Sequence, residues 1–185
     1  MSVVGWPSKL RWDQFKPLDA PPAGASIGGW THADPDASIH PLLAPPQVFS
    51  IVPDAKHKTQ RRFVNFNITV KLDSLDTWVV KDKQSDKLLK HEQGHWDIAG
   101  LVGREWHRRL EWLRAETDDG LMKLARDTKQ YFQSKLDSLT GQYDDETKNG
   151  SEDHKQLEWN STIGSFIGKH FLCVALWFAD EPAFS

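Results

Sequence analysis

A long run of residues with helical spacing, from Ser85 to about Ala115, constrains the fold of this chain more than any other feature. Ser85 is a favourable N-cap residue, and core-type side chains then recur three, four or seven positions apart: Leu88, His91, His95, Ile98, Val102, Trp106 and Leu113. Residues four apart on a helix lie about 40° from one another around its axis. The pattern therefore predicts a long helix on which the rings of His91 and His95 face the same side.

The stretch His91-Glu92-Gln93-Gly94-His95 has the spacing of a zinc-binding helix in metallopeptidases. Catalytic zinc sites use three protein ligands, and imidazole nitrogen is one of the usual ones. Glu92 follows the first histidine, where a carboxylate can act as general base towards zinc-activated water and then protonate the leaving amine. Gly94 costs about 1 kcal/mol relative to alanine inside a helix, which indicates a close approach by another element. The sequence thus predicts a Zn²⁺ site on His91 and His95, and a zinc-dependent metallopeptidase.

The N-terminal part, residues 1–80, is predicted to contain short strands and loops. The stretches "PLDAPPAGASIGG" and "HPLLAPPQVF" are too rich in proline and glycine for long helices. The stretch "FVNFNITVKLD" alternates apolar and polar residues, which is typical of a half-buried strand over 62–73. The edge of such a strand could bind an extended peptide. Four aromatic residues are expected to attach this part to the core: Trp6, Trp12, Trp30 and Phe49.

The remainder, residues 84–185, is predicted to be rich in helices. A second helix is expected from Leu121 to Leu139, ended by "TGQYDDETKNG", and a third is expected to be capped by Ser151 and to cover "EDHKQLEWNSTIGSFI". Strands first and helices second indicate an α+β fold. A chain of 185 residues suits a single domain, residues 1–185.

Charge and composition exclude several other classes of function. The net charge is −3, with 23 basic and 26 acidic residues interleaved, so no nucleic-acid partner is predicted. The single cysteine, Cys173, can form neither an internal disulfide nor a cysteine-rich zinc site. The most apolar stretch, 166–179, is too short to span a membrane and is expected to be buried. The N-terminal stretch has no signal-peptide pattern, and the partner predicted is a peptide or protein substrate, with the oligomeric state left open.

The third metal ligand has to come from chain that folds back onto the helix. Glu111 lies about 24 Å from His95 along the same helix, and His107 points about 120° away; His107 is expected to be exposed or partly buried. The best source of a ligand is the segment between the second and third helices, "GQYDDETKNGSEDHKQLEW", because loops between rigid elements often carry site residues. The other histidines show no ligand spacing: His32, His40, His57 and His170.

Three stretches resemble the DUF922 family of bacterial zincin-like zinc proteases: "LRWDQF", "LLKHEQGHWDIA" and "YDDET…NG…Q..W". The resemblance implies a zincin-like α+β fold, with a small N-terminal β-sheet packed on the active-site helix and further helices after it. It also implies His91 and His95 as zinc ligands and Glu92 as general base, in a family whose members are often exported. The family usually has a histidine, as a further ligand, where this chain has Asn149.

Three arrangements of the metal site are therefore open. His154 is the first candidate for the third ligand, a carboxylate from Asp144 or Glu146 is the second, and a weak site with two ligands is the third. The Tyr143 hydroxyl is a candidate for stabilising the oxyanion of the tetrahedral intermediate, or else packs as an ordinary aromatic residue.

Two further carboxylates in the shared motifs have predicted roles. Asp144 is a candidate for orienting a ligand imidazole. Asp97 is expected to pair with a basic side chain or the backbone. The alternative to a peptidase is a degenerate family member that acts as a binding or scaffold domain, and a structural zinc that only holds the helices is a third reading.

Overall fold

The computed structural model describes residues 3–22, 37–39, 41–46, 49–73 and 75–168. The fold is α+β, since within these ranges all strands precede three helices. The helices are α1 (Asp86–Trp112), α2 (Asp118–Thr147) and α3 (Asp153–Gly168). The strands are β1 (Val3–Val4), β2 (Lys16–Leu18), β3 (Ala37–Ser38), β4 (Pro41–Ala44), β5 (Ser50–Pro53), β6 (Arg61–Val64), β7 (Ile68–Leu72) and β8 (Trp78–Val80).

Helix α1 is the central element, as the helical spacing predicted. The side chain of Ser85 accepts a hydrogen bond from the Leu88 N–H at 3.2 Å, which confirms the predicted N-cap. One stripe of the helix is fully buried against α2, α3 and the sheet that contains β7: Ile98, Ala99, Leu101 and Val102 are 0% exposed. The two site histidines lie near the N-terminal end of this helix, and burial of the stripe holds them inside the protein.

The strands form three small sheets, in the orders β1-β7-β4, β2-β8-β3 and β5-β6. The strand predicted over 62–73 is two strands, because Asn65 adopts a left-handed φ of 56° between β6 and β7. Strand β7 pairs with β1 in parallel and with β4 in antiparallel orientation. The prediction that an edge of this stretch could receive a peptide is therefore wrong for β7, because both of its edges are paired, whereas β6, among the described strands, forms a ladder with β5 alone.

Helix α2 extends well beyond its predicted end at Leu139 and carries Tyr143 and Asp144. It continues because Leu139, Tyr143 and Thr147 recur every four residues, are all buried, and keep an inward face against α1. It ends where three consecutive residues have positive φ, namely Lys148 (49°), Asn149 (52°) and Gly150 (81°). The stretch "TGQYDD" therefore belongs to a helix, and only the turn after Thr147 breaks it. Helix α3 begins two residues after the predicted cap.

The aromatic residues predicted to attach the N-terminal part behave differently from one another. Trp6 is buried and packs over Gly100 of α1, and Trp12 packs at the edge of the core. Phe49 is 37% exposed, although it stacks edge-on against Phe63. Trp30, Cys173 and most of the apolar stretch 166–179 lie outside the described residues. Within the described part, no helix has the length and hydropathy to cross a membrane.

Candidate metal centre

His91, His95 and Asp144 bring three potential metal-ligand atoms together between α1 and α2. The two imidazoles come from adjacent turns of α1 and the carboxylate comes from α2. The His95 Nε2 atom lies 3.3 Å from His91 Nε2. Asp144 Oδ1 lies 3.1 Å from His91 Nε2 and 2.8 Å from His95 Nε2. The two rings therefore converge, as the spacing of four predicted, and the carboxylate completes a triangle.

The size of this triangle matches a tetrahedral metal site. Zinc bonds of about 2.0–2.1 Å in a tetrahedron place neighbouring ligand atoms roughly 3.3 Å apart. The three observed separations, 2.8, 3.1 and 3.3 Å, are equal to or slightly shorter than that value. Two imidazoles and a carboxylate are also a donor set that zinc uses in catalytic sites. The residues present therefore fit a divalent transition metal with its fourth position left for another ligand.

A closed set of hydrogen bonds fixes which nitrogen of His91 carries the proton. The Tyr143 hydroxyl donates to the His91 carbonyl oxygen at 3.1 Å, so it accepts from Gln156 Nε2 at 2.6 Å. The other end of the same amide, Gln156 Oε1, then accepts from His91 Nδ1–H at 3.0 Å. When His91 is neutral, its Nε2 atom is consequently a bare lone pair aimed at Asp144 Oδ1. Two acceptors at this separation attract only with a proton or a metal ion between them.

The pKa values of Asp144 and Tyr143, neighbours on α2, shift in opposite directions. Burial raises the pKa of the Asp144 carboxyl, but the imidazoles of His95 and His91 outweigh it and lower the pKa below its usual range. Burial also raises the pKa of the Tyr143 hydroxyl. Asp144 is therefore ionised at neutral pH and available as a ligand, whereas Tyr143 stays protonated and able to donate.

Glu92 is buried beside the three ligands and has one unpaired oxygen. Glu92 is only 2% exposed, and its Oε2 atom has no hydrogen-bond partner among the described residues. Burial raises the pKa of Glu92 to about 7; the positive charge that His91 carries when protonated opposes that rise, and the charge of Asp144 adds to it. A hydrogen bond with the backbone of Ile39 holds the carboxyl. A carboxyl with this pKa can both take and return a proton near neutral pH.

His154, the first candidate for the third ligand, lies outside this cluster. Its side chain is 76% exposed on α3, and its Nδ1 atom faces Glu158 Oε1 at 3.5 Å. Glu146, a further candidate, accepts hydrogen bonds from Trp159 Nε1 at 2.9 Å and from Gln142 Nε2 at 2.7 Å. Asp144 replaces both as the candidate ligand because the extension of α2 turns it towards α1. Asn149 lies in the left-handed turn after α2.

Two other predictions about side chains need correction. Tyr143 is 0% exposed and its hydroxyl is fully used by His91 and Gln156, so it is not free to stabilise an oxyanion. His107 was expected to be at least partly exposed but is 3% exposed, stacked on Phe66 with its Nε2 atom 3.3 Å from the Phe66 carbonyl.

Asp97 also has partners other than those expected. It accepts from the indole of Trp6 at 2.9 Å and the amide of Gln93 at 3.2 Å, rather than from a basic side chain or the backbone. Of the four histidines without ligand spacing, His57 is exposed, and the other three lie outside the described residues.

Sequence reasoning gave no role to two residues that shape the site. Gln156 lies three residues before Trp159, and this spacing, which places both on one side of α3, is the signal that could have identified it. Gly150 lies against His91, where a Cβ atom would be 2.9 Å from His91 Cβ. The prediction for Gly94 is confirmed, since a Cβ there would overlap the Tyr143 hydroxyl. A helical glycine beside two ligands therefore indicates the contact between α1 and α2.

Comparison of the chain with protein-family models, with curated proteins and with solved structures found no significant match. The zincin-like fold and membership of the DUF922 family therefore stay predictions. The geometry of the site has to carry the functional argument.

Proposed function

We propose that this protein is a zinc-dependent hydrolase of peptide bonds, with His91, His95 and Asp144 as metal ligands and Glu92 as general base. The observation that carries the proposal is the convergence of the three ligand atoms within 3.3 Å of one another beside a buried glutamate. The resemblance of "LLKHEQGHWDIA" to zincin-like proteases supports the same chemistry and a zincin-like architecture. Zn²⁺ held by these residues would supply Lewis-acid chemistry, which polarises a carbonyl and lowers the pKa of water to about 7.

The protein's own residues divide the remaining work. Gln156 keeps the proton on His91 Nδ1 and so directs the Nε2 lone pair into the triangle. Asp144 supplies a negative charge that balances part of the charge of the ion. Glu92 takes the proton of the attacking water on its unpaired oxygen and returns it to the leaving amine. Burial of the cluster keeps bulk water away from these charged groups and strengthens each interaction.

Three variants test the proposal through metal content and hydrolysis of labelled unfolded casein. Glu92→Gln should keep stoichiometric zinc and lose hydrolysis. Asp144→Ala should weaken zinc binding by more than about 100-fold, because loss of a residue that only hydrogen-bonds a ligand already costs about 10–100-fold in affinity. His154→Ala is the matched control and should leave both zinc and hydrolysis unchanged, because its side chain is exposed. Hydrolysis by Glu92→Gln at the normal rate would remove Glu92 from the mechanism.

A structural metal site is the second candidate function, and the burial of the ligands favours it. His91 is 2% exposed, His95 7% and Asp144 9%. Structural zinc sites are closed, whereas catalytic sites keep a position open to substrate. This reading predicts bound zinc and a marked loss of thermal stability with chelator, but no hydrolysis of any peptide. The unpaired buried oxygen of Glu92 favours the enzyme, since a purely structural site has no use for an acid that is costly to bury.

A further inference from the structure

A cavity distinct from the candidate metal centre lies between α1, α2 and the chain around β4 to β6. Its volume is about 330 Å³. Its inner surface is formed by Phe63 of β6, Trp106 and Leu110 of α1, and Met122 of α2. The single polar atom of Trp106, its Nε1, donates to Thr128 at 3.3 Å and so has no free hydrogen bond to offer. The interior of the cavity is therefore apolar, and a ligand gains from it only by burying hydrocarbon.

The cavity lies apart from the candidate metal centre. Trp106 follows His95 by eleven residues on the same helix, which corresponds to about 16 Å along the axis. Ligand binding in this cavity and hydrolysis at the metal centre can therefore be measured independently of each other.

Two basic residues of α2, Arg126 and Lys129, line the cavity as well. They are three residues apart, so they lie on the same side of the helix, and both are exposed. Neither has an ion pair or hydrogen bond with any residue that the structure describes. Lys123, one turn earlier, differs in this respect because it pairs with Asp127 at 2.9 Å. Two unpaired cations beside an apolar cavity complement an anion with a hydrocarbon tail.

We propose that this cavity binds an amphipathic carboxylate, with its hydrocarbon tail against Phe63, Trp106 and Leu110 and its carboxylate at Arg126 and Lys129. The volume lies at the lower end of the range for small-molecule sites, about 300–1,000 Å³. It therefore suits a medium chain of about eight carbons rather than a long-chain lipid. Phe49, which is 37% exposed and stacked on Phe63, leaves apolar surface at the same place for the tail.

Octanoate and its uncharged analogue 1-octanol are the two probes, measured by isothermal titration calorimetry on the full chain. Octanoate should bind more tightly than octanol, and its affinity should rise about fourfold per methylene from hexanoate to octanoate. Lys129→Gln should weaken octanoate about two- to fivefold and leave octanol unchanged, as expected for an exposed ion pair. Lys123→Gln removes the same charge from the same helix and should have no effect.

A third variant tests the location of the probe. Ala125→Trp puts a large side chain into the cavity and should abolish binding of both probes. Octanoate should also shift the amide resonances of Leu110 and Ala125, and not those of His91 and His95. Equal binding of octanoate and octanol, or equal weakening by Lys129→Gln and Lys123→Gln, would overturn the charge assignment. Absence of octanoate binding at millimolar concentration, or shifts confined to the histidines, would overturn the site itself.

Discussion

Gln156 is the residue whose replacement tests the proposed metal site most sharply, because it contacts a candidate ligand without being one itself. Its amide joins His91 Nδ1 at 3.0 Å to the Tyr143 hydroxyl at 2.6 Å. Replacement by methionine keeps the length of the side chain and removes both of these hydrogen bonds, together with the one that Gln156 Nε2 donates to Asn160 Oδ1 at 3.0 Å. His91 then has no acceptor for a proton on Nδ1, and the proton moves to Nε2, where it can bond to Asp144 Oδ1 at 3.1 Å. A proton on Nε2 blocks the lone pair through which His91 would bind the metal.

The magnitude follows from this exchange of partners. Loss of an outer hydrogen-bond partner of a metal-ligating histidine costs about 10–100-fold in metal affinity. At 25 °C that range corresponds to about 1.4–2.7 kcal/mol. A buried donor left without any partner would cost the metal-free protein about 1–3 kcal/mol of unfolding free energy. The change of tautomer gives His91 a new acceptor, so we expect a loss of unfolding free energy at the low end, about 1 kcal/mol.

Zinc affinity is measured by competition with a chromophoric chelator, and the unfolding free energy of the metal-free protein by urea titration. Imidazole ¹⁵N shifts report the tautomer of His91 directly. Gln156→Glu should bind zinc with an affinity within about threefold of the parent chain, because its carboxylate still accepts a hydrogen bond from His91 Nδ1–H. Glu158→Gln, on the exposed side of the same helix, is the control. Unchanged zinc affinity in a folded Gln156→Met variant would refute the role of this amide.

Two predictions concern stability rather than metal binding. Gly94→Ala should destabilise the protein by about 1–3 kcal/mol in urea unfolding, because the new methyl group overlaps the Tyr143 hydroxyl. Gly141→Ala is the control and should stabilise the protein by up to about 1 kcal/mol, because a Cβ at Gly141 would meet nothing within 4 Å. A change in unfolding free energy of the same sign in both variants would contradict this explanation. Backbone N–H groups of the following turn and the Arg114 guanidinium lower the pKa of Asp54 to about 2, so its interactions stabilise the fold above pH 4 and are lost as the pH falls through 2. The melting temperature of Asp54→Asn should therefore lie below that of the parent chain at pH 7, and the gap should close towards pH 2.

Periodicity in the sequence was enough to predict some elements and not others. The N-cap at Ser85 and helix α1 follow from local signals, since a serine side chain and a buried stripe act within a few turns. The strand predicted over 62–73 fails at Asn65, because alternation continues through a residue whose left-handed φ changes the direction of the chain. Polarity alternation reports which face is buried and carries no information about where a strand turns.

The error at the end of α2 has a different cause and affected the assignment of the third ligand. The stretch "TGQYDD" contains glycine and acidic residues, which favour a turn when only local propensity is considered. Helix α2 continues through it because Tyr143 and Thr147 are buried against other elements, and tertiary packing overrides propensity. Asp144, taken to lie in a loop, has no defined direction in that prediction, so ligand chemistry alone places His154 ahead of it. Placed on helices, the two residues point to different surroundings.

Gly94, the glycine in "HEQGH", is the sequence signal that distinguishes Asp144 from His154 as the candidate third ligand. A close approach at Gly94 requires a partner element, and the Tyr143 ring provides it, stacked on His91 with ring centroids 4.7 Å apart. Fixing Tyr143 against Gly94 fixes the rotation of α2 about its axis. The next residue, Asp144, is then about 100° further round, on the side that faces His95. The register that buries the Tyr143 hydroxyl is therefore the same one that brings Asp144 to the two imidazoles as a candidate ligand, and the two assignments stand or fall together.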